Sequence, residues 1–290
     1  MRHEGLVNQI SDIPTLLRPW LATQADTGLA WLDEAAARVT AEAADRTLYT
    51  AFTAAPRHVG RDELPACEIH GHRLAGWTRD QVARVLLLLS LGTEEPQFLR
   101  VLDRLFSTAD LAELVTLYQT LPLLPFAEQH LARAAEGVRS NMLPVFQAVA
   151  IGNSYPAARL DEGAWNQMVV KAVFVGCKLH GIVGLDRRAN PALARMLVDY
   201  ARERRAAERD VAPDLWRPVG PFAVDDRALH ELRHALASED EERQAAAGLA
   251  LAASPYPGAR AVLATRPSLA SDIEAGRVSW HTLSQGAEAA

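Results

Sequence analysis

The chain has 290 residues, 49% of them apolar, and a formal net charge of −6. That length and composition provide a substantial hydrophobic core, in one large domain or two smaller ones, and exclude global disorder. The net negative charge disfavours nucleic acid as a partner. The two cysteines, Cys67 and Cys177, indicate a reducing compartment rather than a disulfide framework.

The N-terminal residues and the most apolar run of the chain predict where in the cell the protein is located. Residues 1–14 include two acidic side chains and lack a long apolar core, so we expect no signal peptide. The most apolar run, residues 82–91, is too short to cross a bilayer, so we expect no transmembrane segment. The predicted location is therefore cytoplasmic.

The periodicity predicts an all-α fold. Aromatic residues make up only 6% of the chain, while Ala and Leu are abundant, which favours helix over sheet. Residues 57–76, which contain Pro, Gly and His, form the longest segment predicted to be irregular. The predicted helices, in chain order, are 13–21, 29–44, 46–55, 82–91, 96–106, 109–121, 125–151 with a kink at Pro144, 164–176, 191–208, 225–237, 239–253, 259–264 and 269–275.

The predicted architecture is an antiparallel multi-helix array in two parts. Residues 1–210 form a helical core domain, and several prolines follow Asp210 as a connecting segment. Short helices in pairs occupy residues 211–290, each with a narrow apolar face, as in HEAT-like solenoids. We therefore expect a HEAT-like extension packed on the core domain.

The segment 164–176 is the most unusual in the chain. Its apolar residues leave no polar stripe at helical spacing, which predicts a helix buried on every side. Lys171 lies in the middle of this segment, and a buried ammonium needs a carboxylate or a route to water. Glu136 and Asp186 are the candidate carboxylates, either for catalysis or for a structural ion pair.

Polar residues before and after this helix complete a candidate site. Arg139 and Arg187 offer guanidinium groups that bind phosphate or carboxylate. Asn190 precedes Pro191, as an N-terminal cap does, so it caps a helix or contacts a ligand. The predicted ligand-binding residues are Glu136, Arg139, Asn141, Asn166, Lys171, Asp186, Arg187 and Asn190, with Lys171 and Glu136 as the candidates for catalysis.

Metal and cofactor motifs are weak or missing. Cys67, His70 and His72 form a Cys-x-x-His-x-His pattern that could hold zinc, but no second pair has zinc-finger spacing. We therefore assign no metal and leave that pattern open. The sequence has no nucleophile elbow, P-loop or dinucleotide-binding glycine motif, so no cofactor is expected.

Three stretches resemble the EboA-domain proteins: Ala-Glu-Gly-Val-Arg-Ser-Asn at 135–141, Ala-Trp-Asn-Gln-Met-Val-Val-Lys-Ala-Val-Phe at 164–174, and Gly-Leu-Asp-Arg-Arg-Ala-Asn-Pro at 184–191. The similarity extends over most of the chain and is weaker over 57–76 and the C-terminal helices. It implies a member of a bacterial gene cluster that makes or exports a small secondary metabolite. The resemblance assigns no reaction to the chain.

Three functions are compatible with these observations. The leading hypothesis is a soluble accessory protein that binds an anionic or polyol intermediate of that pathway in a polar pocket, with other proteins of the cluster as further partners. The second is a cofactor-free transferase, lyase or isomerase that uses Lys171 and Glu136. The third is a helical scaffold for partner enzymes. The sequence leaves open whether the protein is an enzyme.

Overall fold

The structure is a computed structural model that describes residues 12–23, 28–42, 45–92 and 94–289. Its elements are α-helices, short 3-10 helices and one small β-hairpin, which confirms the predicted all-α fold. The described residues up to Leu160 form one compact unit, and those from Asp161 onward form a second. The predicted division into 1–210 and 211–290 stays a prediction, as do the HEAT-like pairs.

The first unit contains nine α-helices among its described residues. They are α1 (Ile13–Ala22), α2 (Leu29–Glu42), α3 (Asp45–Val59), α4 (Arg79–Leu89), α5 (Glu95–Thr108), α6 (Leu111–Gln119), α7 (Leu131–Arg139), α8 (Leu143–Ala150) and α9 (Tyr155–Arg159). Two short 3-10 helices, Leu121–Leu123 and Ala127–His130, connect α6 to α7.

Helix α4 is the centre of the first unit. It packs against α1, α2, α3 and α6, and nearly every residue from Arg79 to Leu88 is buried. The run of leucines that makes the segment so apolar in sequence fills the space between those four neighbours. A helix with neighbours on all sides has no solvent face, so its polar side chains must find partners inside the protein.

Two arginines and an aspartate of α4 are buried with it. Arg79, Asp80 and Arg84 are 1%, 4% and 2% exposed. Arg79 donates hydrogen bonds to the carbonyl oxygens of Leu21 at 2.8 Å and Val59 at 2.7 Å, in the last turns of α1 and α3. Carbonyls at the end of a helix have no partner within that helix, so this guanidinium terminates two helices at once.

Arg84 forms the second buried connection. Its guanidinium pairs with Asp80 at 2.8 Å, donates to the Phe52 carbonyl at 3.1 Å and lies 5.4 Å from the centre of the Phe52 ring. Burial lowers the pKa of Arg84, and the carboxylates of Asp80 and Glu113 oppose that shift. Because these acids balance the cation, the ion pair is tolerated inside the helical core.

The segment predicted to be irregular contains a β-hairpin. Strands β1 (Cys67–Ile69) and β2 (His72–Leu74) pair antiparallel, with Ile69 opposite His72. The two-residue turn has φ of +50° at His70 and +75° at Gly71. A type I′ turn needs positive φ at both central residues, and Gly71 adopts it without strain. The expectation of irregular structure throughout 57–76 is wrong for this hairpin.

The second unit contains eight α-helices among the residues described. They are α10 (Glu162–Phe174), α11 (Leu185–Arg188), α12 (Pro191–Ala206), α13 (Asp226–Leu236), α14 (Glu241–Ala253), α15 (Pro257–Leu263), α16 (Pro267–Glu274) and α17 (Trp280–Ala289). Three short 3-10 helices, Leu179–Gly181, Pro213–Trp216 and Gly220–Phe222, lie between them in sequence.

Helix α14 is the central element of the second unit. It contacts α13, α15, α16 and α17 as well as the 3-10 helices on either side of Val219. Most of its buried residues are alanines, whose methyl groups let neighbouring backbones approach closely. A Cβ atom added to Gly220 would lie only 2.8 Å from Cα of Ala250, so this contact requires glycine.

The buried ion pair gives a first prediction. Arg84→Met removes one charge of the pair and leaves the Asp80 carboxylate buried without its partner, which should lower the free energy of unfolding by about 3–5 kcal/mol. The matched control is Arg100→Met, because the Arg100 side chain is 63% exposed in its contact with Asp45; a change below about 1 kcal/mol is expected there. Urea unfolding followed by circular dichroism measures both, and equal costs would contradict the assignment.

Candidate functional site

The predicted site residues lie in both units. Glu136, Arg139 and Asn141 belong to the first unit. The second unit contains the other members, Asn166, Lys171, Asp186, Arg187 and Asn190. Each group is described within its own unit, and their assignment as one ligand-binding set stays a prediction.

The three residues of the first unit lie where two helices meet. Helix α7 ends at Arg139 and α8 begins at Leu143, so the predicted kinked helix over 125–151 is in fact two separate helices. The connecting turn is closed by a hydrogen bond from the Met142 N–H to the Ser140 hydroxyl at 3.1 Å. Asn141 is exposed in this turn.

A cleft of about 370 Å³ opens beside this turn. Its size falls within the range of small-molecule pockets, roughly 300–1,000 Å³. The residues around it come from α5, α6, α7, α8 and the turn; they are Phe106, Leu114, Tyr118, Arg133, Glu136, Arg139, Ser140, Met142 and Val145. Glu136 and Arg139, predicted from the sequence, therefore share one cleft, which we call the α7–α8 cleft.

The position of Tyr118 in the cleft depends on Gly137. A Cβ atom at Gly137 would lie 2.6 Å from Cε1 of Tyr118 and 2.5 Å from Cγ2 of Val149, so only glycine lets α7 approach α6 and α8 this closely. The Phe106 ring meets Tyr118 edge to face, with the ring centres 5.0 Å apart. The buried Asn153 amide donates to the Tyr118 carbonyl at 3.0 Å. The backbone and ring of Tyr118 are thus both fixed.

The charged side chains of the cleft differ in whether they are already paired. Arg133 pairs with Glu136 at 2.8 Å and with Asp103 at 3.0 Å, and it lies 5.0 Å from the centre of the Phe106 ring. Arg139 is exposed and has no ion-pair or hydrogen-bond partner for its guanidinium among the described residues. One guanidinium is therefore held in place, and a second is available to a ligand.

The Tyr118 hydroxyl is the most informative group in the cleft. Tyr118 is 4% exposed, and its hydroxyl makes no hydrogen bond to any other residue that the structure describes. Burial raises the pKa of Tyr118 to about 12, and the nearby Glu136 carboxylate adds to the rise. The hydroxyl oxygen keeps contact with solvent, so a water or a ligand in the cleft can bond to it.

In the second unit, Asn166 and Asn190 contact each other directly. Each side-chain amide donates to the other's oxygen, at 3.2 Å and 2.8 Å. The Asn190 oxygen also accepts from the Leu193 N–H at 2.9 Å, which confirms the predicted cap of α12. Asn166 is 4% exposed, so this amide pair satisfies polar groups that the packing of α10 against α12 buries.

Trp165 neighbours the amide pair along α10. It is fully buried, its indole N–H has no acceptor among the described residues, and the Arg188 guanidinium lies 4.8 Å from the ring centre. A cation over an indole ring is stabilised by the electron-rich ring face. This contact orients α11 relative to α10 and was not expected from the sequence.

The prediction of a helix buried on every side is wrong for α10. Phe174 is 74% exposed, and Lys171 is partly exposed rather than enclosed by apolar groups. Partial burial lowers the pKa of Lys171. The buried face consists of Trp165, Asn166, Met168, Val169, Ala172 and Val173. Apolar residues also occupy the outer face of α10, so the sequence pattern predicts an enclosed Lys171 although its side chain is partly exposed.

The predicted carboxylate partners of Lys171 are both bound to arginines. Asp186 makes a two-point ion pair with Arg217, at 2.8 Å and 2.6 Å, and Glu136 is held by Arg133. Arg187 is exposed on α11. A role for Lys171 with Glu136 or Asp186 in catalysis stays a prediction.

The zinc hypothesis for the hairpin finds no support in the geometry. His70 pairs with Asp12 at 2.7 Å, and His72 Nδ1 lies 2.6 Å from the Ser154 hydroxyl. Within the part of the chain that the structure describes, no three His, Cys, Asp or Glu side chains converge as metal ligands. The two histidines therefore fix the hairpin to the neighbouring segments.

The fold and the cleft define the class: an all-α protein with a polar cleft of small-molecule size. A family model described as "Metabolite traffic protein EboA" matches residues 13–220, so the chain belongs to the EboA family, which confirms the resemblance seen in the sequence. That description indicates a metabolite-associated accessory role. Comparison with curated proteins and with solved structures finds no match.

Among the described residues, no helix combines the length and the apolar character that a bilayer-spanning segment requires. This agrees with the expectation from residues 82–91, most of which form the short buried helix α4.

The amide pair gives the second prediction. Asn190→Ala removes the cap of α12 and leaves the buried Asn166 amide unpaired, which should cost roughly 2–4 kcal/mol of unfolding free energy. Asn190→Ser keeps a capping oxygen and loses only the amide contact, so it should cost about half as much. Chemical denaturation separates the two variants. A cost below about 0.5 kcal/mol for both would show that the pair does not stabilise this unit.

The unpaired hydroxyl gives the third prediction. Tyr118→Phe removes a group without a protein partner, so the unfolding free energy should change by less than about 0.5 kcal/mol. Tyr155 is the matched control, since it is 2% exposed, has a pKa of about 12 and donates to the Ala127 carbonyl. Tyr155→Phe should cost about 1–2 kcal/mol. Urea denaturation of both variants decides, and an equal loss would mean that Tyr118 has a structural partner.

Proposed function

We propose that this protein is an accessory protein of a bacterial secondary-metabolite pathway and that it binds an anionic or polyol intermediate in the α7–α8 cleft. In this role the protein holds the intermediate between biosynthetic or export steps and does not convert it. The family description supports the metabolite-associated part of the proposal. The chemistry of the cleft supports the choice of ligand.

The observation that carries the proposal is the Tyr118 hydroxyl. It is a nearly buried hydrogen-bonding group without a partner among the described residues, at the wall of a cleft of small-molecule size. The hydroxyl keeps contact with solvent, so a ligand oxygen can replace the water that it bonds to. Ligands with an acceptor oxygen are therefore matched to this point of the wall.

The neighbouring charges suit an oxygen-rich ligand. Arg139 offers an unpaired guanidinium for a phosphate or carboxylate. Glu136 keeps acceptor capacity beyond its contact with Arg133, since its side chain is 57% exposed, and it can accept from a polyol hydroxyl. Phe106 and Met142 provide apolar surface for the carbon skeleton. Ligands with both hydroxyl and acid groups therefore use every part of the cleft.

Two further sets of residues stay in the proposal as predicted from the sequence. Asn141 in the turn is proposed as an additional contact of the α7–α8 cleft, and Asn166, Lys171, Asp186, Arg187 and Asn190 are proposed as ligand contacts within the second unit. The amide pair of Asn166 and Asn190 has a structural explanation within its own unit, which makes these two the weaker members of the set.

The fourth prediction tests the cleft directly. Native mass spectrometry of the protein purified from cells that express the whole gene cluster should show a retained small molecule. Arg139→Gln and Tyr118→Phe should each reduce the retained fraction by about tenfold, which corresponds to about 1.4 kcal/mol. The matched controls are Arg202→Gln and Tyr200→Phe on α12, outside the cleft, and they should retain as much as the unchanged chain.

Two results would contradict this function. Retention that survives both cleft substitutions would remove the α7–α8 cleft from the proposal. Turnover of a cyclitol phosphate or prenyl diphosphate by the purified protein, lost in Lys171→Met or Glu136→Gln, would replace it with the cofactor-free enzyme.

A further inference from the structure

A second cleft lies within the second unit, where α12 ends beside α13. Its volume is about 410 Å³. Residues inside the EboA match, from Ala201 to Trp216, form one part of its wall, and residues beyond that match, from Glu231 to Arg243, form the other. We call it the α12–α13 cleft. It is separate from the α7–α8 cleft, with which it shares no residue.

One guanidinium of this cleft is fixed by a buried acid. Arg205 makes a two-point ion pair with Glu231, at 2.9 Å and 2.8 Å, and the Glu231 side chain is only 4% exposed. The Arg205 contact lowers the pKa of Glu231, so this acid stays ionised. Arg205 keeps 33% of its side chain exposed, and two of its five N–H groups are used by Glu231.

A second guanidinium is held in a similar way. Arg243 pairs with Asp210 at 2.8 Å and approaches Asp240 at 3.6 Å, and 34% of its side chain is exposed. The carboxylates of Glu231 and Asp210 are therefore paired with Arg205 and Arg243, which both line the cleft. They position these donors and leave other N–H groups free to bind a ligand.

The end of α12 places a third arginine at the cleft. Glu208 adopts a left-handed conformation with φ of +53°, and the Arg209 N–H then bonds back to the Arg204 carbonyl at 2.9 Å. This closure is the usual way for a helix to stop, with glycine more common at the left-handed position. Arg209 lines the cleft, and its guanidinium has no partner among the residues described.

A buried indole adds an unpaired donor. Trp216 lines the cleft and is 3% exposed, and its indole N–H, which has no hydrogen-bond partner among the described residues, keeps contact with solvent. The wall also includes apolar side chains, Ala201, Val211, Ala235 and Ala237, together with the polar Glu208, His234 and Ser238. The cleft thus combines apolar side chains with three arginines and three acids, and two of these acids, Glu231 and Asp210, are paired with Arg205 and Arg243.

We propose that the α12–α13 cleft binds a small organic oxyanion, a carboxylate or phosphate monoester on an apolar body. The oxyanion accepts hydrogen bonds from Arg209, from the free edge of Arg205 and from the Trp216 indole, while the apolar body packs on the alanines. Guanidinium groups bind either acid through two parallel hydrogen bonds. The proposal does not depend on the α7–α8 cleft, since it rests on different residues.

The test uses the full chain and three aromatic probes that differ only in their polar group: phenyl phosphate, benzoate and the uncharged benzamide. Isothermal titration calorimetry should show saturable binding of at least one of the two anions and none of benzamide. The anion that binds more tightly identifies the acid group of the natural ligand. Arg209→Gln should weaken that binding by about tenfold, and Arg202→Gln, on the exposed part of the same helix, by less than about twofold.

The control variants distinguish loss of the binding site from loss of stability or of surface charge. Arg209 and Arg202 are both exposed, so each variant should keep the thermal midpoint of the unchanged chain. Arg100→Gln should leave binding of the probe unchanged, because Arg100 is 63% exposed on α5 and lines neither cleft. Absence of saturable binding up to about 10 mM of either anion, or equal weakening by the Arg209 and Arg202 variants, would overturn the proposal.

Discussion

The guanidinium groups of Arg79 and Arg84 are the interaction on which the first unit depends. They lie inside the core on α4 and donate hydrogen bonds to backbone carbonyl oxygens of α1 and α3, which would otherwise need water as a partner. The network extends to α6 through Glu113, whose nearly buried carboxylate accepts a hydrogen bond from Thr53. The charge of this carboxylate also stabilises the charged form of Arg84. Since α6 also carries Tyr118, the buried charges help to hold one wall of the α7–α8 cleft.

Both clefts follow one physical pattern, in which some charges are paired within the wall and others are left to solvent or ligand. Arg133 in the first unit and Arg205 in the second are each fixed by carboxylates, while Arg139 and Arg209 have no partner among the described residues. Each cleft also has one nearly buried aromatic residue with an unpaired polar group, Tyr118 or Trp216. A fixed arginine provides orientation at little entropic cost, and a free one provides affinity.

The sequence predicted what depends on local periodicity and capping. The all-α fold and the cap at Asn190 are confirmed, as is the family resemblance. The burial of individual side chains depends instead on packing between segments that are distant in sequence. Lys171 was expected inside the protein because its neighbours are apolar, yet Phe174 on the same helix is exposed. The sequence does not single out Arg79 and Arg84, because the run around them is hydrophobic and their hydrogen-bond partners lie far away in sequence.

Two of the predicted site residues lie in one cleft, and their role in binding a ligand stays a prediction. Glu136 and Arg139 line one cleft, whereas Tyr118 and Trp216 had no distinguishing signal, since an aromatic residue on an amphipathic segment is usually core. The hairpin at 67–74 was missed because neither strand exceeds three residues.

The alanine-rich centre of the second unit has a consequence for how this chain can change over time. Because α14 contacts α13, α15, α16 and α17, and Gly220 approaches Ala250 without room for a methyl group, enlarging a buried side chain of α14 disturbs several helices together. Under random mutagenesis, the tolerated substitutions should therefore gather on the outer helices. Over evolution, sequence changes in the second unit are expected mainly in the helices around α14, while α14 keeps its small buried residues.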